Sequence, residues 1–289
     1  MSSVFVASSK RATGKSRRDI LKSAAGAAAT LGAGPTHARL LLATFAQMTG
    51  NSAFGAERDR ILYFTRSDGF RHEVIPASRD IMKEIGAAAG FDITDSEDVA
   101  AFTSENLRRH AAVMFFTTGE LPMDDAQKAA LTGFVRAGGG FLGVHSATDT
   151  FYQWPEYGRL IGGYFNEHPW HQKVRIEVAD PVDPLVAFLP PAIELDDEIY
   201  QIRDFDAGSS RVLLRLDPRS VDLTLPEVHP QPYGWPLAWS RSYGTGRVFY
   251  TALGHEEGVW RDPRFQHLIR NAALWAMGKL PTSDGRGGR

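Results

Sequence analysis

The chain predicts an α/β fold, a parallel sheet flanked by helices and then widened by mixed or antiparallel strands. Short apolar runs alternate with amphipathic stretches from residue 60 to residue 145. Beyond residue 172 the pattern changes to closely spaced strand-like runs with few helices between them. The 289 residues are 43% apolar and 23% charged, a balance that suits one large α/β domain.

Arg60-Ile61-Leu62-Tyr63-Phe64-Thr65 is a short apolar run and reads as the first buried strand. Residues 73–89 read as a helix whose apolar face holds Ile75, Ile81, Met82 and Ile85. Phe91-Asp92-Ile93 is a weaker second strand, and residues 111–117 (AAVMFFT) a third, apolar on both faces. Pro122 is expected to open the next helix, with Asp124 and Asp125 in its first turn, where carboxylates meet the positive end of the helix dipole. That helix should end near Arg136, before Gly138-Gly139-Gly140, and Gly140 to His145 is the fourth strand. Right-handed crossovers then give a flavodoxin-like strand order, 2-1-3-4. Residues 173–179, 194–202, 211–216, 237–243 and 247–252 read as further strands, and Lys173 to Val178 alternates as a half-exposed strand does. A closing helix over 263–277 presents Phe265, Leu268, Ile269, Ala272, Leu274, Trp275 and Ala276. Residues 57–280 contain no linker and read as a single domain, followed by a Gly/Arg-rich tail, 281–289, expected to be disordered.

Composition excludes some chemistry. The chain has no cysteine, so thiol nucleophiles, disulfides and thiolate-bound metals are out. Residues 1–56 read as a signal and leader: Ser16-Arg17-Arg18-Asp19-Ile20-Leu21-Lys22 matches a twin-arginine export signal, and an Ala/Gly-rich run follows. Periplasmic or secreted location is the expectation, with no membrane anchor after cleavage. Residues 1–56 hold seven Lys/Arg and one Asp, which leaves 25 bases against 33 acids in the remainder, a net charge of −8. An acidic chain without a basic cluster is a poor partner for nucleic acid.

In an open α/β sheet, ligands bind beyond the carboxyl ends of the strands. Imidazoles and carboxylates gather at those predicted ends: Arg71 and His72 after the first strand, Glu120 after the third, His145 and Asp149 after the fourth. His168 and His171 precede the fifth, Glu198 and Tyr200 lie on the next, and His255 follows the last. Such convergence points to an active site. His145 stands where a sharp strand-to-helix turn would project its side chain outward, as a nucleophile elbow does. Glu198 sits between apolar residues, where a buried carboxylate needs a partner. Asp197 is expected only to cap or pair. His267, on the last amphipathic helix, reads as structural, and His110 and His229 as solvated loop residues.

Residues 70–72 (FRH), 138–149 (GGGFLGVHSATD), 162–171 (GGYFNEHPWH), 196–200 (DDEIY), 236–255 (PLAWSRSYGTGRVFYTALGH) and 265–278 (FQHLIRNAALWAMG) together resemble the trehalose-utilisation ThuA-like family, over residues 60–279. The resemblance implies a class I glutamine-amidotransferase-like three-layer α/β sandwich. The amidotransferase cysteine position is occupied here by His145, so glutaminase chemistry is not implied. The implied substrate is a small carbohydrate, a 3-keto-glycoside or trehalose-like disaccharide, and the implied pathway partner a sugar dehydrogenase.

A ketone at C3 acidifies the neighbouring C–H bonds, and a base near a positive charge can exploit this. One reading makes His145 or His255 the base and Glu198 or Asp149 the group that orients it or protonates the leaving oxygen. Arg71 or a divalent ion then steadies the enolate. Elimination followed by hydration cleaves the glycoside, and simple reprotonation isomerises it. His72, Glu120 and Tyr200 would bind substrate, and Trp170, Trp235 and Trp239 could stack on pyranose faces. A second reading is a zinc-type hydrolase in which three of His72, His145, His168, His171, His255 and Glu198 bind the ion, with His72, His168 and His171 as the set put forward. A third is a carbohydrate-binding domain without turnover.

Overall fold

The computed structural model describes residues 59–282, so the twin-arginine segment, the rest of the leader and the tail beyond residue 282 lie outside the described residues. The chain opens with strand β1 (Asp59–Phe64), helix α1 (Ile75–Ala89) and strand β2 (Phe91–Ser96). A short helix α2 (Ser104–Leu107) leads to β3 (Ala112–Phe115), α3 (Asp125–Arg136) and β4 (Gly140–Val144). After a 3-10 turn at His145–Thr148 come α4 (Pro155–Ile161), β5 (Tyr164–Phe165), β6 (Trp170–Val178), β7 (Ala192–Ile199) and β8 (Ile202–Arg203). The chain continues through β9 (Ser210–Leu216), β10 (Pro236–Tyr243), β11 (Gly246–Thr251), α5 (Glu257–Arg261) and α6 (Pro263–Ala276).

Nine strands form one sheet in the order β2-β1-β3-β4-β11-β10-β9-β6-β7. The expected 2-1-3-4 order holds, with parallel pairing from β2 through to β4. β11 then pairs parallel with β4, placing the last strand of the chain beside the fourth. From β11 outward every pairing is antiparallel. The parallel core is buried on both faces: Ile61 to Phe64, Ala112 to Phe115, and Phe141, Leu142 and Val144 are at most 1% exposed. Helices α1, α5 and α6 contact one another, while α2, α3 and α4 do so elsewhere, giving the three layers.

Local chemistry explains the helix ends. α1 carries a proline in its first turn and ends at Gly90, whose φ of 88° is left-handed backbone that glycine adopts freely. α3 begins later than Pro122 suggests. Asp124 accepts a hydrogen bond from the Gln127 amide, and the Gln127 side chain accepts one from the Asp124 amide, a capping box that sets the start. His110 is buried and bonded to the Asn106 carbonyl, not solvated as expected. His267 stacks on Phe188 at 3.8 Å, as a structural residue would.

Candidate functional site

The centre forms where β4, β7 and β11 end. β4 delivers His145 directly into the 3-10 turn, with φ 47°, a left-handed conformation that costs a non-glycine residue about 1–3 kcal/mol. Two contacts pin this elbow: the Tyr250 hydroxyl donates to the His145 carbonyl at 2.7 Å, and the same hydroxyl bonds Thr148 Oγ1 at 2.8 Å. The sharp turn is therefore present, but its side chain does not project into solvent. His145 is 0% exposed. Its Nδ1 lies 2.7 Å from the Ala252 carbonyl, just beyond β11, and donates to it, which turns Nε2 toward the other site residues.

Three atoms face one another there. His145 Nε2 is 3.3 Å from Glu198 Oε2 and 3.2 Å from His255 Nδ1, and His255 Nδ1 is 3.2 Å from Glu198 Oε2. Glu198 thus finds the partners its buried position demanded. Burial alone would raise its carboxyl, but hydrogen bonds from His145 and His255 outweigh that and hold it well below the usual carboxylate range. For His255 burial opposes the charged form, yet Glu198 with Asp197 and Glu256 prevails and holds its pKa above the ordinary imidazole value. His72 packs edge-on against both imidazoles, with ring centres 4.8 Å from His145 and 5.1 Å from His255. Burial, reinforced by the neighbouring His145 and His255, drives its pKa down to about 3, so it is neutral. Its Nδ1 is buried with no hydrogen-bond partner.

His255 owes its place to Asp197. β7 turns Asp197 onto the same face as Ile193 and Leu195, wholly buried, and its carboxylate accepts the backbone N–H groups of Gly254, His255 and Glu256 at 2.7, 3.0 and 3.0 Å. The capping role expected for Asp197 is thus the clamp on the loop that carries His255. Neither the Ala252 carbonyl nor the Tyr250 hydroxyl was legible as a site group, since nothing in a sequence marks which backbone carbonyl will meet an imidazole.

The other predicted residues fall around this core unevenly. His168 Nδ1 meets the second Glu198 oxygen at 3.3 Å, half in solvent. Asp149 accepts from the Tyr152 hydroxyl at 2.6 Å. Its carboxyl is raised by burial, partly offset by Tyr152 and by the nearby His145 and His168. Tyr200 is buried, with its ring 4.2 Å from that of His145. His171 instead pairs with Glu256 at 2.7 Å. The ligand set His72, His168 and His171 is therefore not assembled. Among the described residues, the group able to hold a metal ion is His72, His145, Glu198 and His255, with ligand atoms within 4.8 Å of one another, and a smaller group joins His171, His255 and Glu256.

Arg71 is engaged by Glu97 at 2.8 Å, so its charge is already matched, and Glu120 accepts the Gln153 amide. Trp170 presents no face to a sugar: it is 1% exposed, and its indole N–H donates to the Asp222 carbonyl. Trp239 is equally buried, donating to the Ile161 carbonyl. Exposed rings beside the site residues include Phe70, 65% accessible and 5.0 Å from His72, and Tyr152 beside Asp149. A cleft of about 410 Å³ opens beside His255, lined by Phe70, Glu73, Val74, His255, Glu256 and Glu257. A larger hollow of about 590 Å³ abuts His110, Ala111, Gly138 and Gly139, before β3 and β4 begin, at the end of the sheet away from His145 and His255.

The fold is similar to that of a ThuA-like protein from Bacteroides uniformis, 24% identical, with a TM-score of 0.67 over 78% of this chain and 94% of that one. A ThuA-like protein from Parabacteroides merdae, 21% identical, aligns with a TM-score of 0.61 over 78% of this chain and 93% of that one. No curated protein matches the chain. The family described as ThuA, trehalose utilisation, matches residues 60–276, from β1 to the last residue of α6, and so spans every strand that supplies the histidine–glutamate centre. The chain belongs to the ThuA family.

Proposed function

We propose that this chain is an enzyme of carbohydrate catabolism that draws a proton from carbon beside the ketone of a 3-keto-glycoside, leading to cleavage or isomerisation. The observation that carries the reading is the convergence of His145 Nε2, His255 Nδ1 and Glu198 Oε2 within 3.2–3.3 Å at the strand ends. The carboxylates around His255 outweigh its burial and favour its charged form, so the centre holds a positive charge. An enolate oxygen needs such a charge, in a site fixed before the reaction starts. His145, fully buried, holds the centre from behind and does not reach substrate.

The proton falls to groups at the rim. Asp149 suits the base, because burial raises its carboxyl and a raised carboxylate is a better base. His168, half in solvent on the second Glu198 oxygen, suits protonation of the leaving glycosidic oxygen. A cleft of about 410 Å³ falls within the size range of small-molecule sites, and the exposed Phe70 ring offers a flat apolar surface for a pyranose. Glu73, Glu256 and Glu257 line that cleft, which favours a neutral sugar over a sugar phosphate. Location in the periplasm by way of the twin-arginine segment, and supply of the ketone by a sugar dehydrogenase, belong to the same proposal.

Incubation with 3-keto-trehalose in deuterated water tests it. The expected result is solvent deuterium at the carbon beside the ketone, together with cleavage or isomerisation, and loss of both in Asp149→Asn. Saturable binding with neither exchange nor cleavage would leave a binding domain and refute the enzyme.

A further inference from the structure

We infer that His145 Nε2, His255 Nδ1 and Glu198 Oε2 are three ligands of one divalent cation of the zinc type, with His72 beside it as the available fourth. The inference goes beyond the carbohydrate reading and does not depend on it.

The spacing is the first support. A tetrahedral ion with ligands at the usual zinc–nitrogen and zinc–oxygen lengths keeps neighbouring ligand atoms about 3.3 Å apart. The three edges of the triangle are 3.2, 3.2 and 3.3 Å. Ring orientation is the second. His145 Nδ1 donates to the Ala252 carbonyl, which turns Nε2 toward Glu198 Oε2, the arrangement a metal-bound imidazole has. His72 gives the third. It is 4% exposed, and its Nδ1 has no hydrogen-bond partner. A buried imidazole nitrogen left unpaired costs free energy unless something binds it.

The donor set selects the ion. Imidazole nitrogens with one carboxylate oxygen match a zinc site, whereas calcium and magnesium prefer oxygen ligands throughout. The supporting contacts are also those of a metal site. The Ala252 carbonyl fixes the tautomer of His145, and Asp197 fixes the backbone that carries His255. An ion here would give a ketone oxygen its positive charge directly.

The purified chain, stripped with chelator and dialysed, should be titrated with Zn²⁺ by calorimetry, with elemental analysis of the same sample. We expect one ion per chain and a higher melting temperature in its presence. Glu198→Gln and His255→Ala should each weaken binding about a hundredfold or more, since even outer contacts of metal ligands cost about ten- to a hundredfold. Circular dichroism identifies a variant that has failed to fold, and His171→Ala, which dismantles the second candidate cluster with Glu256, should bind Zn²⁺ as the parent does. No binding by the parent, or binding that survives Glu198→Gln and is lost in His171→Ala, overturns the inference. Full turnover of 3-keto-trehalose by the stripped protein, with no Zn²⁺ bound in the titration, would keep the carbohydrate reading and overturn the ion. A bound ion without turnover upholds the ion and removes the carbohydrate reading.

Discussion

Replacing Asp197 with alanine should loosen the loop that carries His255 and destabilise the protein by about 2–3 kcal/mol. The carboxylate accepts three backbone N–H groups, from Gly254, His255 and Glu256. The Gly254 amide is buried and would be left without an acceptor, at about 1–3 kcal/mol. The His255 and Glu256 amides are only partly buried and regain water, so each loses about 0.5–1 kcal/mol. Against these stands a return: burial holds the Asp197 carboxyl above its usual range, so deleting the charge recovers part of its desolvation. For a domain of this size the net loss lowers the melting temperature by about 4–12 °C. Thermal unfolding followed by circular dichroism at pH 7 measures it. Asp197→Asn, which keeps one acceptor oxygen, should fall between the parent and alanine. A melting point for Asp197→Ala within about 2 °C of the parent would show that the three hydrogen bonds contribute nothing measurable.

Asp262 caps α6 through the Arg264 amide, so Asp262→Ala should cost about 1 kcal/mol at pH 7 in urea unfolding. A hydrogen bond from the Arg264 side chain is the main reason the Asp262 carboxyl lies below its usual range. Its stabilisation is therefore present above the unfolded carboxylate pKa and lost as pH falls through the lower folded value, and the gap between parent and variant should close in acid. Gly140→Ala should lose about 1–3 kcal/mol, because a Cβ there would stand 2.7 Å from the Ala276 carbonyl oxygen and 2.9 Å from Ala112 Cβ; unchanged stability would show that α6 can shift. Tyr250→Phe removes the hydroxyl that holds the His145 elbow and should cost about 1–2 kcal/mol, with a larger proportional loss of turnover than of substrate binding.

The parallel half was legible because its strands are buried on both faces, so Ile61 to Phe64 and Ala112 to Phe115 stand out as unbroken apolar runs. The place of β11 was not. Residues 247–252 read as a strand, but local pattern says nothing about which distant strand it joins. The residue types at the site were legible for a related reason: strand ends can be read, so His145, Glu198 and His255 could be gathered without coordinates. Their depth could not be read. A sharp turn suggested an exposed His145, but the Ala252 carbonyl that draws it inward comes from the residue that follows β11. Trp170 looked like a sugar platform because it adjoins two histidines, yet it opens a strand with Val174 and Ile176 on its own buried face. His168 and His171, three apart, turned to different carboxylates because β6 begins between them.

The pairing of β11 with β4 also has a consequence in time. His145 and its hydrogen-bond partner Ala252 are 107 residues apart, and His255 lies further still along the chain. During synthesis the elbow is made early, but its inward anchor and second imidazole arrive only after the whole antiparallel excursion through β6, β7, β9 and β10 has been laid down. Contacts of such long range form slowly. Until β11 docks, His145 lacks the Ala252 carbonyl and Glu198 lacks His255, so the three-atom centre is incomplete. Completion of the fold and activation of the site are one event, so the nascent chain carries no working centre into an unfinished protein.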